Sequence, residues 1–189
     1  IKNVEILREE LTRNYDDYGI TNYIFSDDTF NDSTYKVALI ADMMAKLPFK
    51  PRFTSYLRLD LLRRFPEQIG LLKDMGIAGA FFGIESFNYE TSKAVGKGMR
   101  GEHAREMLEV VHQAWGNKVN KTIGLIVGLP HETRANIAQT IDWIRTRPEM
   151  INSVCATALD IGLGSVQTSE FGKNPTKYGY DVVVYDTGE

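Results

Sequence analysis

The sequence of 189 residues contains a single cysteine, Cys155, so it has no internal disulfide and cannot by itself ligate zinc or an iron–sulfur cluster. It also lacks any apolar run near the roughly 18 residues of a membrane span, and it has no basic-then-apolar leader. The formal net charge of −3 supplies no basic surface for nucleic acid. We therefore expect a soluble, cytoplasmic protein without nucleic-acid or membrane partners.

The composition, with 43% apolar and 25% charged residues, is that of a globular protein with one sizeable core. The first residue is Ile1 rather than methionine, and the β-rich segment 180–185 stops soon after it starts. Both ends therefore suggest a fragment of a longer chain.

Helical and extended patterns alternate along the chain. Helical spacing of apolar residues predicts helices that begin near Val4, near Ser33, after Pro66, near Ala104 and before Ile137. Apolar runs between them predict strands at 23–25, 53–59, 79–84, from 122 onward and at 153–159. Strands that are apolar throughout and alternate with helices indicate a parallel sheet covered by helices.

Two architectures fit this alternation, an open doubly wound sheet and a closed or partial (β/α) barrel. No Gly-x-Gly-x-x-Gly follows the first strand, which removes the usual sequence reason for a dinucleotide-binding fold. The sequence therefore favours a barrel, or an arc of one. In either architecture the ligand lies at the carboxyl ends of the strands.

Polar residues follow four of the predicted strands. They are Asp27-Asp28, Arg58 with Asp60, Glu85-Ser86 and the loop 128–132. A single acid after a strand most often caps the next helix. Four polar tips on one rim instead suit a small ligand that carries an ammonium and a carboxylate.

Three segments, "YIFSDDTF" (23–30), "FFGIESFNYETSKAVGKGM" (81–99) and "IGLIVGLPHET" (123–133), resemble the radical S-adenosylmethionine (radical SAM) superfamily in this order and spacing. The similarity covers about residues 3–159 and is strongest to the branch often found with cobalamin-binding domains. It implies a partial (β/α)₆ TIM-like barrel of the radical SAM type, lacking its first strand, that binds S-adenosylmethionine across its strand ends. Residues 1–160 are then the barrel core, and 161–189 begin a C-terminal extension.

The resemblance implies roles for the polar strand tips. Asp27 and Asp28 match the tip that approaches the methionyl amino group. Glu85 and Ser86 match the tip near the ribose or the methionyl end. From its position at a strand tip, and not from the resemblance, Arg58 is expected to pair with the methionyl carboxylate; pairing with the neighbouring acid or with a carbonyl is the alternative.

The same resemblance implies that the segment after residue 123 contacts the adenine of S-adenosylmethionine. Gly124, Ile126 and Gly128 match the motif whose backbone and apolar side chain lie along the ring. Gly128 and Pro130 would turn the chain sharply and bring backbone close to the adenine. The family usually has glycine where this chain has His131. We expect His131 to be an exposed histidine of a surface loop.

The superfamily holds a [4Fe–4S] cluster with three cysteines in a Cys-x-x-x-Cys-x-x-Cys loop after its first strand. These 189 residues contain no such loop, and the helix at 1–14 resembles the helix that follows it. We therefore expect the cluster ligands in a segment or partner N-terminal to Ile1, and we expect this chain alone to be inactive. Cys155 is predicted to be a small core residue. Cobalamin is a further cofactor that the resemblance allows, while the substrate and reaction type stay open.

Two other hypotheses remain at this point. One is a non-catalytic, ligand-binding scaffold derived from the same fold. The other is an unrelated phosphate-binding (β/α) barrel enzyme that uses the loop 161–165. Against the latter, Lys121 lies at the start of its strand rather than at the tip, and Asp27 and Asp28 would repel phosphate.

Overall fold

A computed structural model describes residues 3–160 and 173–181 of the chain. The helices are α1 (Val4–Tyr18), α2 (Thr34–Ala45), α3 (Leu59–Arg64), α4 (Glu67–Asp74), α5 (Tyr89–Ala94), α6 (Gly101–Trp115) and α7 (Arg134–Arg145). The strands are β1 (Asn22–Phe25), β2 (Arg52–Leu57), β3 (Ile77–Glu85), β4 (Asn120–Val127) and β5 (Ser153–Ala158). The candidate phosphate loop 161–165 lies outside the described residues, as does the predicted β-rich segment beyond residue 181.

The five strands form one parallel sheet in the order β1-β2-β3-β4-β5. Each strand therefore pairs with the next strand along the chain, and at least one helix forms each connection. A doubly wound sheet reverses its strand order at a switch point, whereas a barrel does not. The sequential order confirms the predicted arc of a (β/α) barrel.

The helices cover one face of this sheet. In β2 the side chains alternate, so that Phe53, Ser55 and Leu57 are buried against the helices while the intervening side chains are exposed. The opposite surface, here called the open face, includes Ile24 (78% exposed) and Tyr56 (46% exposed). The expectation of strands buried throughout is therefore wrong for β2, because helices cover only one of its sides.

The predicted helix starts agree with the capping chemistry. The Ser33 hydroxyl caps α2 by accepting from the Lys36 N–H, and Gly19 ends α1 in the left-handed conformation. Thr133 caps α7 in a reciprocal capping box with Asn136. These side chains satisfy backbone groups that the helix ends leave free.

Two short helices differ from the sequence expectation. The strand predicted at 53–59 ends at Leu57, because Leu59–Arg64 forms α3. Helix α5, Tyr89–Ala94, was not predicted either. Six residues are fewer than two helical turns, so neither segment displays a full apolar stripe.

The last strand, β5, is exposed along its whole length, and α7 beside it contains no buried residue. The prediction that Cys155 is a core residue is therefore wrong, because its strand borders only β4 in the described sheet. Cys155 pairs in register with Gly124 and lies on the open face. At the other edge, β1 pairs only with β2 among the described strands.

Candidate cofactor site at the strand ends

The tip of β1 carries two acids in different environments. Asp27 Oδ2 lies 3.2 Å from Lys36 Nζ, and Lys36 is buried. The same ammonium lies 2.6 Å from Asp32 Oδ1 and donates to the Thr29 carbonyl at 3.1 Å. Asp28 is exposed and forms no ion pair within residues 3–160 and 173–181. The sequence reasoning missed Lys36, which pairs with Asp27, so that of the two exposed acids Asp28 is the one without an ion pair in those ranges.

The tip of β2 is fixed by polar contacts of its own. The Arg58 guanidinium donates to both Asp60 oxygens, at 3.0 and 2.6 Å, which realises the alternative considered for it. The hydrogen bond from Arg58 to the Asp60 carboxylate raises the arginine pKa, although desolvation opposes this shift. The fully buried Asn31 amide binds both the N–H and the carbonyl of Arg58. Asn31 also donates to Gln68 and so ties the β1–α2 loop to α4 as well.

The tip of β3 has an unusual backbone. Glu85 adopts a φ of +63°, a region that side chains other than glycine rarely occupy. Its carboxylate turns back over Gly83, where a Cβ would lie only 2.8 Å from Glu85 Oε1. Lys97 Nζ lies 3.2 Å from the same oxygen. Glycine at 83 therefore provides the room in which the Glu85–Lys97 pair forms.

Ser86, the second residue of this tip, is buried. Its hydroxyl accepts a hydrogen bond from the Asn88 N–H at 3.1 Å. The Asn88 side chain in turn caps α5 by accepting from the Thr91 N–H. Ser86 thus belongs to the turn that connects β3 to α5 and retains a hydroxyl hydrogen to donate.

The loop after β4 turns as the sequence predicts. Gly128 has a φ of +92°, and its N–H donates to Glu132 Oε2 at 2.7 Å. Pro130 is buried, whereas His131 is exposed as predicted and has a left-handed φ of +65°. This conformation explains why glycine suits position 131.

Gly124 has a neighbour that the sequence did not reveal. A Cβ at this position would meet two ring carbons of Phe81 at 2.7 and 2.9 Å. Phe81 in turn lies 5.1 Å, between ring centroids, from Tyr56 on the open face. Glycine at 124 therefore accommodates an aromatic side chain of the neighbouring strand, and its predicted adenine contact stays a prediction.

Some of the predicted residues share a cleft and others do not. Glu85, Ser86, Ile126 and Glu132 line one cleft of about 260 Å³ that lies between helix α7 and strands β3, β4 and β5. Asp27 instead lines a separate cleft of about 490 Å³ between β1 and α1. The structure thus brings the β3 and β4 tips together, while the β1 tip stands apart from them.

Lys121 occupies the beginning of β4, as predicted, and is fully buried. Its ammonium donates to the carbonyls of Gly116 at 2.9 Å and Val119 at 2.7 Å. Desolvation by burial lowers its pKa. These contacts give Lys121 a structural role at the end of the sheet opposite the candidate site.

Within the described residues, no three His, Cys, Asp or Glu side chains are grouped so that they could hold a metal ion. Nor is any helix in those ranges long and apolar enough to cross a membrane. Because the sequence has one cysteine, it cannot provide three thiolates for a [4Fe–4S] cluster.

A parallel sheet whose strands follow one another in chain order, with a helix in each connection, defines the arc of a (β/α) barrel. The radical SAM superfamily model matches residues 2–144. The chain belongs to the radical SAM superfamily. This membership removes the alternative of an unrelated phosphate-binding barrel.

The chain is also similar to individual proteins of known sequence or structure. An uncharacterized methyltransferase of Pyrococcus horikoshii is 26% identical over 144 residues, which cover 76% of this chain and 30% of that protein. The cobalamin-dependent S-adenosylmethionine radical enzyme OxsB, solved with aqua-cobalamin and S-adenosylmethionine, has a TM-score of 0.64 at 18% identity. That match covers 93% of this chain and 26% of OxsB.

The radical S-adenosylmethionine methyltransferase TsrM from Kitasatospora setae, solved with cobalamin and a [4Fe–4S] cluster, has a TM-score of 0.61 at 14% identity. The match covers 82% of this chain and 31% of TsrM. The chain therefore spans less than a third of the length of each of these three proteins. At these identities the two structures show the fold alone.

Proposed function

We propose that this chain binds S-adenosylmethionine along the carboxyl ends of its strands, as the cofactor-binding core of a radical SAM enzyme. One observation carries the proposal. Glu85, Ser86 and Ile126, from the ends of β3 and β4, line a single cleft that β5 and α7 complete, in a chain that belongs to this superfamily. The cleft combines two carboxylates and two hydroxyls with apolar walls, which suits a polar sugar attached to a flat base.

The contacts at β1 refine the proposed binding of the methionyl group. Asp27 is engaged by Lys36, so Asp28 is the carboxylate that we assign to the methionyl ammonium. Arg58 is already bound to Asp60, and we therefore assign the methionyl carboxylate to other donors. An ion pair between Asp28 and an ammonium would orient the sulfonium end of the ligand.

The adenosyl part would lie along β3 and β4. Glu85 and Ser86 would bind the ribose hydroxyls, since a carboxylate accepts and a serine hydroxyl donates hydrogen bonds. Ile126 and the turn at Gly128 and Pro130 would contact the adenine. The hydrogen bond between Gly128 and Glu132 would keep this turn in one conformation.

The chemistry would require groups from outside these 189 residues. A [4Fe–4S] cluster, when bound, supplies the electron for reductive cleavage of S-adenosylmethionine in this superfamily. Cys155, exposed on the open face, is the one cysteine of these 189 residues. The three cysteine ligands of the cluster would therefore come from another segment or partner. Cobalamin, present in the OxsB and TsrM structures, is proposed as a second cofactor of the whole protein.

The test separates binding from cleavage. The chain is incubated anaerobically with iron, sulfide, dithionite and S-adenosylmethionine, and 5′-deoxyadenosine is quantified alongside ligand binding by equilibrium dialysis. We expect saturable binding and no 5′-deoxyadenosine. Absence of binding would contradict the proposed site, and 5′-deoxyadenosine formed by the chain alone would contradict the proposed origin of the cluster ligands.

A further inference from the structure

Arg105 of α6 lies against two aromatic rings. Its guanidinium carbon is 5.4 Å from the centroid of Phe87 and 5.2 Å from that of Trp143. Its Nε is buried and has no hydrogen-bond partner in the described part of the chain. The rings restrict the side chain, which orders the guanidinium in the absence of an ion pair.

Arg105 lines a cavity of about 250 Å³ among the first turns of α5, α6 and α7. A second arginine, Arg100, lines the same cavity and lies 5.1 Å over the ring of Tyr89. Across residues 3–160 and 173–181, neither arginine forms an ion pair. Glu102 is the one acid among the lining residues, so the two arginines leave the cavity with a net positive charge.

An arginine at position 105 is hard to explain by packing alone. A buried donor without a partner destabilises a fold, and native structures contain few such groups. A methionine would fill the space beside Phe87 and Trp143 without that penalty. The charge at this position therefore points to a ligand of opposite sign.

From these contacts we infer that the cavity binds the phosphate group of a small molecule through Arg105 and Arg100. Donors reach the cavity from two helices, because the Asn136 and Gln139 amides of α7 line it together with the two arginines at the start of α6. Oxygens that point in several directions, as in a tetrahedral phosphate, match such donors better than the two oxygens of a planar carboxylate. The inference is independent of S-adenosylmethionine binding, because none of the proposed adenosyl or methionyl contacts lines this cavity.

Inorganic phosphate tests the inference directly. It is titrated into the protein at constant ionic strength, with chloride as the balancing anion, and binding is measured by calorimetry. Arg105→Met should weaken phosphate binding by roughly tenfold or more, since it removes a charged donor. Its melting temperature without phosphate should stay close to that of the wild type, because the loss of two cation–π contacts offsets the removal of an unpaired buried donor.

Arg147→Met is the matched control. Arg147 lies 4.9 Å over the same Trp143 ring, but it does not line the cavity and pairs with Glu109. This variant should bind phosphate as the wild type does. Acetate should bind the wild type roughly tenfold or more weakly than phosphate.

Three results would overturn the inference: no binding of phosphate beyond that of chloride, equal binding of acetate, or wild-type affinity in Arg105→Met. Should Arg105→Met fail to fold, Arg100→Gln replaces it, because Arg100 is exposed and packs against one ring only. Unchanged phosphate affinity in that variant would equally overturn the inference.

Discussion

Glu132 turns back across the loop after β4 and accepts a hydrogen bond from the Gly128 N–H at 2.7 Å. The Gly128 carbonyl in turn accepts from the Tyr180 hydroxyl at 2.8 Å. Both polar backbone groups of Gly128 are therefore bound, one by a side chain four residues away and the other by a side chain 52 residues away. These contacts stabilise the turn that we propose to lie along adenine.

Loss of the Glu132 side chain should loosen this turn. We expect Glu132→Ala to weaken S-adenosylmethionine binding by roughly tenfold, because a charged acceptor contributes about 1.5 kcal/mol or more. Glu132→Gln retains an acceptor oxygen and should therefore lose clearly less affinity for S-adenosylmethionine than Glu132→Ala. Calorimetric titration of both variants tests this; equal affinity of the alanine variant and the wild type would refute a role for the contact.

The left-handed backbone at His131 predicts opposite effects of two substitutions. His131→Gly relieves an unfavourable φ of +65° but increases the entropy of the unfolded chain, so it should stabilise the fold by at most about 1 kcal/mol. His131→Val introduces a β-branched residue and should destabilise it by about 1 kcal/mol. Urea denaturation measures both; a valine variant more stable than the glycine variant would argue against this conformation.

Two glycines should respond differently to alanine. Gly124→Ala would place a Cβ against the Phe81 ring and should destabilise the fold by about 1–3 kcal/mol. Gly70→Ala lies within α4 with nothing near its Cβ and should stabilise it by about 0.5–1 kcal/mol. Thermal unfolding of the pair tests the contact, and a Gly124→Ala variant as stable as Gly70→Ala would exclude it.

Burial, with a smaller effect of the Glu132 charge, raises the pKa of Tyr180 above its ordinary value of 10.0. The unfolded chain therefore loses this proton first as the pH rises, so stability should fall above about pH 10 and stay unaffected by this group at lower pH. Tyr180→Phe should reduce that fall. Unfolding free energies of both proteins, measured between about pH 8 and 11, test this contribution of Tyr180. Tyr18→Phe is the control, because Tyr18 is exposed. Identical pH dependence of Tyr180→Phe and the wild type would contradict a raised pKa of Tyr180.

The sequence predicted those features of the fold that depend on local chemistry. Ser33 and Thr133 cap the helices expected after them, and the turn at Gly128 forms where a strand meets a glycine and a proline. The order of helices and strands was sufficient to favour a parallel barrel arc over other sheets. These signals are local because each depends on residues a few positions apart.

Features that depend on distant residues could not be read in the same way. The partners of Asp27 and Glu85, namely Lys36 and Lys97, are fixed by how loops fold back onto the strand ends. The exposure of Cys155 follows from the position of β5 at the sheet edge, although the strand itself reads as apolar. Sequence patterns specify which segments form strands, but burial depends on what packs against them.

The most direct measurement of the central claim is calorimetric titration of S-adenosylmethionine into the wild-type chain, Asp28→Asn and Asp74→Asn. We expect saturable binding to the wild type and an affinity roughly tenfold lower for Asp28→Asn, because this variant loses the ion pair with the methionyl ammonium. Asp74 lies at the end of α4, so Asp74→Asn should bind with unchanged affinity. Wild-type affinity in Asp28→Asn, or no binding by any of the three proteins, would contradict the proposed S-adenosylmethionine site.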